Sequence, residues 1–176
     1  MAPVHFWTGM PIIELEASGI CGINNEGIIN LLNLEKLNAC ANCDITNVNH
    51  MINLKILHVD GLSGVNNEGI KKLKNLEFLS ATDNQNLTNI NHMINLKTLY
   101  VDYACGIKNN GIKNLKNLEV LSANNNPNLT NINHMIDLKT LHAGDNCGID
   151  DKGIANLHNL EFLNSNNNPK ITKAIL

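Results

Sequence analysis

The sequence predicts an α/β solenoid built around a single parallel sheet, and three observations carry that prediction. Leu54-Lys55-Ile56-Leu57 returns as Leu96-Lys97-Thr98-Leu99 and again as Leu138-Lys139-Thr140-Leu141, a period of 42 residues. A second series lies between these: Leu34-Glu35-Lys36-Leu37, Leu76-Glu77-Phe78-Leu79, Leu118-Glu119-Val120-Leu121 and Leu160-Glu161-Phe162-Leu163. With Ile12 as a degenerate first member, units start at 12, 34, 54, 76, 96, 118, 138 and 160, in alternating steps of 22 and 20. Within each unit, positions 1, 4 and 6 are apolar or small while 3, 5 and 7 vary. A fixed period of this length marks units that bury their apolar side only against their neighbours. The alternation is that of a short strand with one buried face. Strands entered repeatedly from the same side stack in parallel.

The 176 residues, 43% of them hydrophobic, suffice for one solenoid over 12–176 and hardly for a second domain. Residues 1–11 are left as an N-terminal cap segment, in which Phe6 and Trp7 are expected to cover the first unit's core. Net charge is −3, Lys and Glu alternate along the chain, and there is no arginine. That composition argues against a nucleic-acid or anionic-membrane partner. The start, Met1-Ala2-Pro3-Val4-His5-Phe6-Trp7, lacks the basic and apolar regions of a signal peptide. Five cysteines, most of them recurring with the repeat, read as reduced thiols and place the chain in the cytoplasm. The abundant Asn, Ile and Lys read as an AT-rich composition, of the kind seen in giant viruses or amoebae.

Eight strands are expected, one at the head of each unit. The longer units continue alike: Cys21-Gly22-Ile23, Cys105-Gly106-Ile107 and Cys147-Gly148-Ile149, with Ser63-Gly64-Val65 in the same slots. A glycine recurs at position 16 (Gly27, Gly69, Gly111, Gly153), which calls for a positive φ or a close approach. An apolar residue follows at 17 and a leucine at 20, a helical or 3₁₀ spacing on the return leg. The shorter units, such as Asn84-Gln85-Asn86-Leu87-Thr88-Asn89-Ile90, carry apolar residues three apart with Asn and Pro punctuation. They predict an extended or 3₁₀ return without a full helix.

These patterns resemble leucine-rich repeats. The longer unit is similar to the cysteine-containing subclass, with its cysteine one place late, and the shorter to the N-x-L-T-x-I subclass. The resemblance covers 12–176. It implies a curved solenoid with a concave parallel sheet of about eight strands and a 3₁₀, short helical or irregular convex side. It also implies a binding scaffold, with no enzymatic activity, cofactor or metal. The cysteine-containing subclass often supplies substrate-recognition subunits of ubiquitin ligases, although no F-box-like helical segment precedes these repeats.

Many recurring residues read as structural. Asn42, Asn84, Asn126 and Asn168 at position 9 are expected to bond turn backbone. Cys21, Cys105 and Cys147 are expected to point inward. His50, His92 and His134 are expected to bond backbone carbonyls. Glu35, Lys55, Glu77, Lys97, Glu119, Lys139 and Glu161, at position 2, form a ladder of alternating charge.

What remains is the open face of the sheet. Ile56, Phe78, Val120 and Phe162 at position 3, with Tyr100 and Tyr103, predict an apolar and aromatic strip. Asp60, Asp102 and Asp145 flank it, and His58 and His142 share position 5 with Tyr100. Aromatic anchors inside a polar rim suit a protein partner. Cys40-Ala41-Asn42-Cys43 beside Asp60 is a weak metal signal without a second cysteine pair. His58 and His142 lie four strands apart, about 19 Å, too far to serve one reacting centre. The eighth unit stops at Lys173-Ala174-Ile175-Leu176, which leaves self-association through an uncapped end as the architectural alternative.

Overall fold

The computed structural model describes residues 12–172. Eight strands run in chain order through one parallel sheet. They are β1 Glu14–Glu16, β2 Lys36–Asn38, β3 Ile56–His58, β4 Phe78–Ser80, β5 Thr98–Tyr100, β6 Val120–Ser122, β7 Thr140–His142 and β8 Phe162–Asn164. Each strand is positions 3 to 5 of its unit, and like positions pair: Leu57 with Leu79, then Leu79 with Leu99. Hydrogen bonding between units reaches further, from Lys97 N–H to Glu77 O at position 2 to Asp83 N–H to Asp102 O at position 8. The 22- and 20-residue steps differ only in the return leg, so the sheet keeps one register throughout.

The core follows from the alternation. Leu37, Leu57, Leu79, Leu99, Leu121 and Leu141 at position 4 are fully buried, as are Ala39, Val59, Ala81, Val101, Ala123 and Ala143 at position 6. The return legs close the other side with Ile70, Ile112 and Ile154 from the long units and Met51, Met93 and Met135 from the short ones. Small residues at position 6 let each return leg approach the sheet.

Three long units carry one helical turn each: α1 Asn25–Ile28, α2 Asn67–Ile70 and α3 Asn109–Ile112. The Asn24 and Asn66 side chains cap α1 and α2 by accepting two backbone N–H bonds apiece. The fourth long unit has turns there instead, tied by Gly153 N–H to Asp150 Oδ1 at 2.8 Å. Among the described residues, the short units contain no helix. Close approach, not positive φ, explains the glycine at position 16. A Cβ on Gly69, Gly111 or Gly153 would fall 2.0–2.1 Å from the carbonyl oxygen of Thr46, Thr88 or Thr130 in the preceding unit. The left-handed residue is at position 8, and all eight units have one, from Gly19 (φ 63°) to Asn167 (φ 59°).

Asparagine holds the rest. Asn84 Nδ2 donates to Val59 O at 2.6 Å while its Oδ1 accepts from Asn86 N–H and Leu87 N–H, and Asn42, Asn126 and Asn168 repeat the theme. On the return legs Asn67 Oδ1 accepts from Thr88 N–H and Asn89 N–H of the next unit. His50, His92 and His134 each place Nε2 3.0 Å from a carbonyl oxygen of the preceding unit. Among the described residues, no buried side-chain nitrogen or oxygen lacks a partner. The asparagine content is therefore a structural requirement of units too short to satisfy their backbone with helix.

Two expectations need correction. Cys105 and Cys147 are buried, but Cys21 is exposed. Gly106 and Gly148, which follow the buried pair, pack against carbonyls of the preceding unit, whereas Gly22 turns outward at φ 76° with nothing near it. The charges also do not simply alternate. Positions 5 to 10 of the eight units hold Glu16, Asp60, Asp83, Asp102 and Asp145 and no lysine, while Lys71, Lys72, Lys74, Lys113 and Lys116 cluster on return legs. The return legs also hold Glu26, Glu68, Asp137, Asp150 and Asp151, so acid stands without lysine only at positions 5 to 10. The expected cap residues Phe6 and Trp7 and the tail Lys173–Leu176 lie outside the described residues.

Candidate binding surface

Positions 3 and 5 project from the open face of the sheet, because position 4 between them points into the core. On three neighbouring strands they bring rings together. The His58 ring lies 4.9 Å from Phe78, and Phe78 meets Tyr100 edge-on at 5.3 Å. This geometry is favourable for aromatic pairs beyond simple burial. Ile56 pairs with Phe78 in the strand register and extends the patch toward β2. Position 3 is otherwise broken by Thr98 and Thr140, so the apolar line is not continuous. Val120 sits one strand beyond Thr98. His142 and Phe162 form a separate pair at 5.3 Å on β7 and β8. The expected strip is thus two patches, of which that on β3 to β5 is the larger.

Tyr100 and Tyr103 are 37% and 55% exposed, ample for contact with a partner. Tyr103 occupies the left-handed position with φ 58°. Six of the other seven occupants are Gly, Asn or Asp and the seventh is Ala41, so an aromatic there is the outlier. A bulky residue at positive φ is strained, and such strain tends to persist where a side chain is needed.

The flanking carboxylates have internal duties. Asp60 Oδ1 accepts from Ser80 Oγ at 2.6 Å and Thr82 N–H at 2.8 Å; Asp102 Oδ1 accepts likewise from Ser122 Oγ and Asn124 N–H, both at 2.7 Å. Each stays half-exposed. Asp145 accepts from Asn125 and Asn167 side chains. Asp83, not singled out from the sequence, stands exposed at the left-handed position next to Tyr103's unit. Comparing occupants of position 8 across the units would have found it.

Cys40 Sγ donates to Asp60 Oδ2 at 3.3 Å, so the two side chains expected to touch do so. Burial, with the Asp60 charge adding to it, pushes the thiol up to about 12. It is held protonated, the opposite of what a nucleophile or metal ligand requires. Among the described residues, no group of three or more His, Cys, Asp or Glu could hold a metal ion. The charge ladder is partial. Lys55 pairs with Glu35, and Glu119 with both Lys97 and Lys139, all at 2.9 Å, beside an open groove of about 1090 Å³.

No protein-family model and no curated protein sequence matches the chain. Solved structures do. An internalin C2 from Listeria monocytogenes is similar over 93% of this chain and 75% of its own, at 27% identity and a TM-score of 0.70. The functional domain of InlJ from the same organism, described as including a cysteine ladder, matches over 89% of this chain and 40% of its own, at 16% identity and a TM-score of 0.58. The mouse RP105/MD-1 complex matches over 88% and 30%, at 16% identity and a TM-score of 0.56. The last two likenesses concern the fold. With the repeat, the parallel sheet and these neighbours together, the chain is a leucine-rich-repeat protein. Among the described residues, no helix is long and apolar enough to cross a membrane.

Proposed function

We propose that the protein is a non-enzymatic scaffold that binds a partner protein on the open, concave face of its sheet, centred on β3 to β5. One observation carries the reading: the rings of His58, Phe78 and Tyr100 meet on adjacent strands while staying at least partly accessible, with Tyr103 at the rim. A closed core would have buried these rings, and rings of this kind dominate binding energy when a partner desolvates them. The RP105/MD-1 neighbour, a protein complex, accords with the use of such a solenoid for protein partners. On this reading the chain works in the cytoplasm, where its five free cysteines stay reduced.

The test compares wild type with a Phe78→Ala/Tyr100→Ala variant in capture from native cytosol, after thermal melts establish that both are folded. Loss of a captured protein in the variant supports the concave face. Equal capture by both moves the interaction to the ends or the return legs, and with it the architectural alternative. A captured ubiquitin-ligase subunit, bound independently of the two rings, would favour the substrate-recognition alternative.

A further inference from the structure

Resting on that reading, we propose that the occupant of the β3–β5 face is a lysine- or arginine-rich segment of the partner, seated over the tyrosines and between three carboxylates. Asp60 and Asp102 occupy position 7 of alternate units, with Asp83 at position 8 of the unit between them. Backbone pairing ties the last two together, since Asp83 N–H donates to Asp102 O at 3.0 Å. Strands about 4.8 Å apart thus hold three like charges along one rim. Among the described residues, none of the three has an ion-pair partner within 4 Å. Elsewhere among the described residues several exposed carboxylates do meet lysine: Glu14 pairs with Lys36, Glu35 with Lys55, Glu68 with Lys71 and Glu119 with Lys97 and Lys139.

Chemistry of the neighbouring rings points the same way. Tyr100 and Tyr103 present exposed ring surface beside the carboxylates, and Phe78 backs Tyr100. A cation held between an aromatic face and a carboxylate gains from both, and guanidinium groups suit that arrangement best. An acidic or purely apolar segment would leave the three carboxylates desolvated without a counter-charge, which is costly. Charge complementarity therefore selects a basic occupant from the partners an aromatic patch alone would admit.

The test uses the full chain and two fluorescent peptides, one alternating arginine with glycine and one alternating glutamate with glycine. Affinity is measured at low and high salt for wild type, Asp83→Lys, Tyr103→Ala and Glu26→Lys. Asp83 serves because its side chain makes none of the internal bonds that occupy Asp60 and Asp102; Glu26→Lys makes the same charge change on a return leg. The inference expects wild type to prefer the arginine peptide. Asp83→Lys and Tyr103→Ala should each weaken it by about tenfold, with Glu26→Lys unchanged. Equal weakening by Asp83→Lys and Glu26→Lys, or no preference between peptides, overturns it, since only net charge would then be acting. Light scattering that shows the face engaged by a second copy also overturns it. If a native partner is lost with Phe78→Ala/Tyr100→Ala yet indifferent to Asp83→Lys, this inference fails while the concave-face reading stands.

Discussion

Tyr103 shows how one residue can set stability against exposure. Its φ of 58° is shared by the equivalent residue of every unit, so the backbone there is dictated by the turn and not by the side chain. Asn125 and Asn167 satisfy the same turn with a residue suited to it. Tyr103→Asn is expected to raise stability by about 1 kcal/mol, measured by denaturant unfolding, while weakening partner binding. A destabilised variant would mean the ring packs in the folded state more than its 55% exposure indicates. The sequence showed that Tyr103 was one of only two tyrosines, but not that its backbone was left-handed. That became visible only when Gly19, Gly61 and the Asn and Asp residues fell at the same place.

At the scale of the element, the return leg and the charge ladder make opposite demands. In α2 and α3 the glycine at position 16 makes room for the carbonyl of the preceding unit. Gly111→Ala would put a Cβ 2.1 Å from Thr88 O and should cost about 3 kcal/mol or more, as overpacking against rigid backbone does. Gly27 occupies the same slot in α1, yet its nearest neighbour would be the Ile23 side chain at 3.6 Å. There alanine should stabilise by about 0.5 kcal/mol through helix propensity. Thermal melts of the two variants moving in the same direction would refute the close-approach explanation. Along the ladder, hydrogen bonds from Lys97 and Lys139 hold the Glu119 carboxyl down at about 2, against an ordinary 4.5. A depressed acid contributes stability that is full above pH 4.5 and is lost as pH falls through 2. Wild type should therefore lose more stability than Glu119→Gln across that window, and the gap should narrow in high salt. Parallel pH profiles for both proteins would show the two ion pairs to be without consequence.

At the scale of the molecule, contact among the described residues is local: each strand pairs only with its immediate neighbours, and no strand reaches past them. Stability of such a stack is close to a sum of unit and interface terms. The central residue of each inner strand is buried, but in β1 and β8 it is only half-buried. Amide exchange should accordingly be slowest in β3 to β6 and fastest in β1 and β8. Uniform protection would show instead that the stack opens as one unit. The proposed binding surface lies in the middle of this gradient, where the scaffold is expected to be stiffest. That placement suits a site whose rings must be held in advance of a partner.

Periodicity by itself determined the eight strands, their parallel order, the buried leucines and which positions face outward, because a repeat that buries its apolar side only against copies of itself has one way to stack. It also identified the roles of Asn84 and His92, since identical residues at identical positions meet identical surroundings. What it could not determine were features that depend on the exact path between strands. The left-handed turn under Tyr103, the close approach at Gly111 and the exposure of Cys21 all fall in that class. Each depends on where one unit's backbone lies against the next, a distance set by packing in three dimensions and not by spacing along the chain.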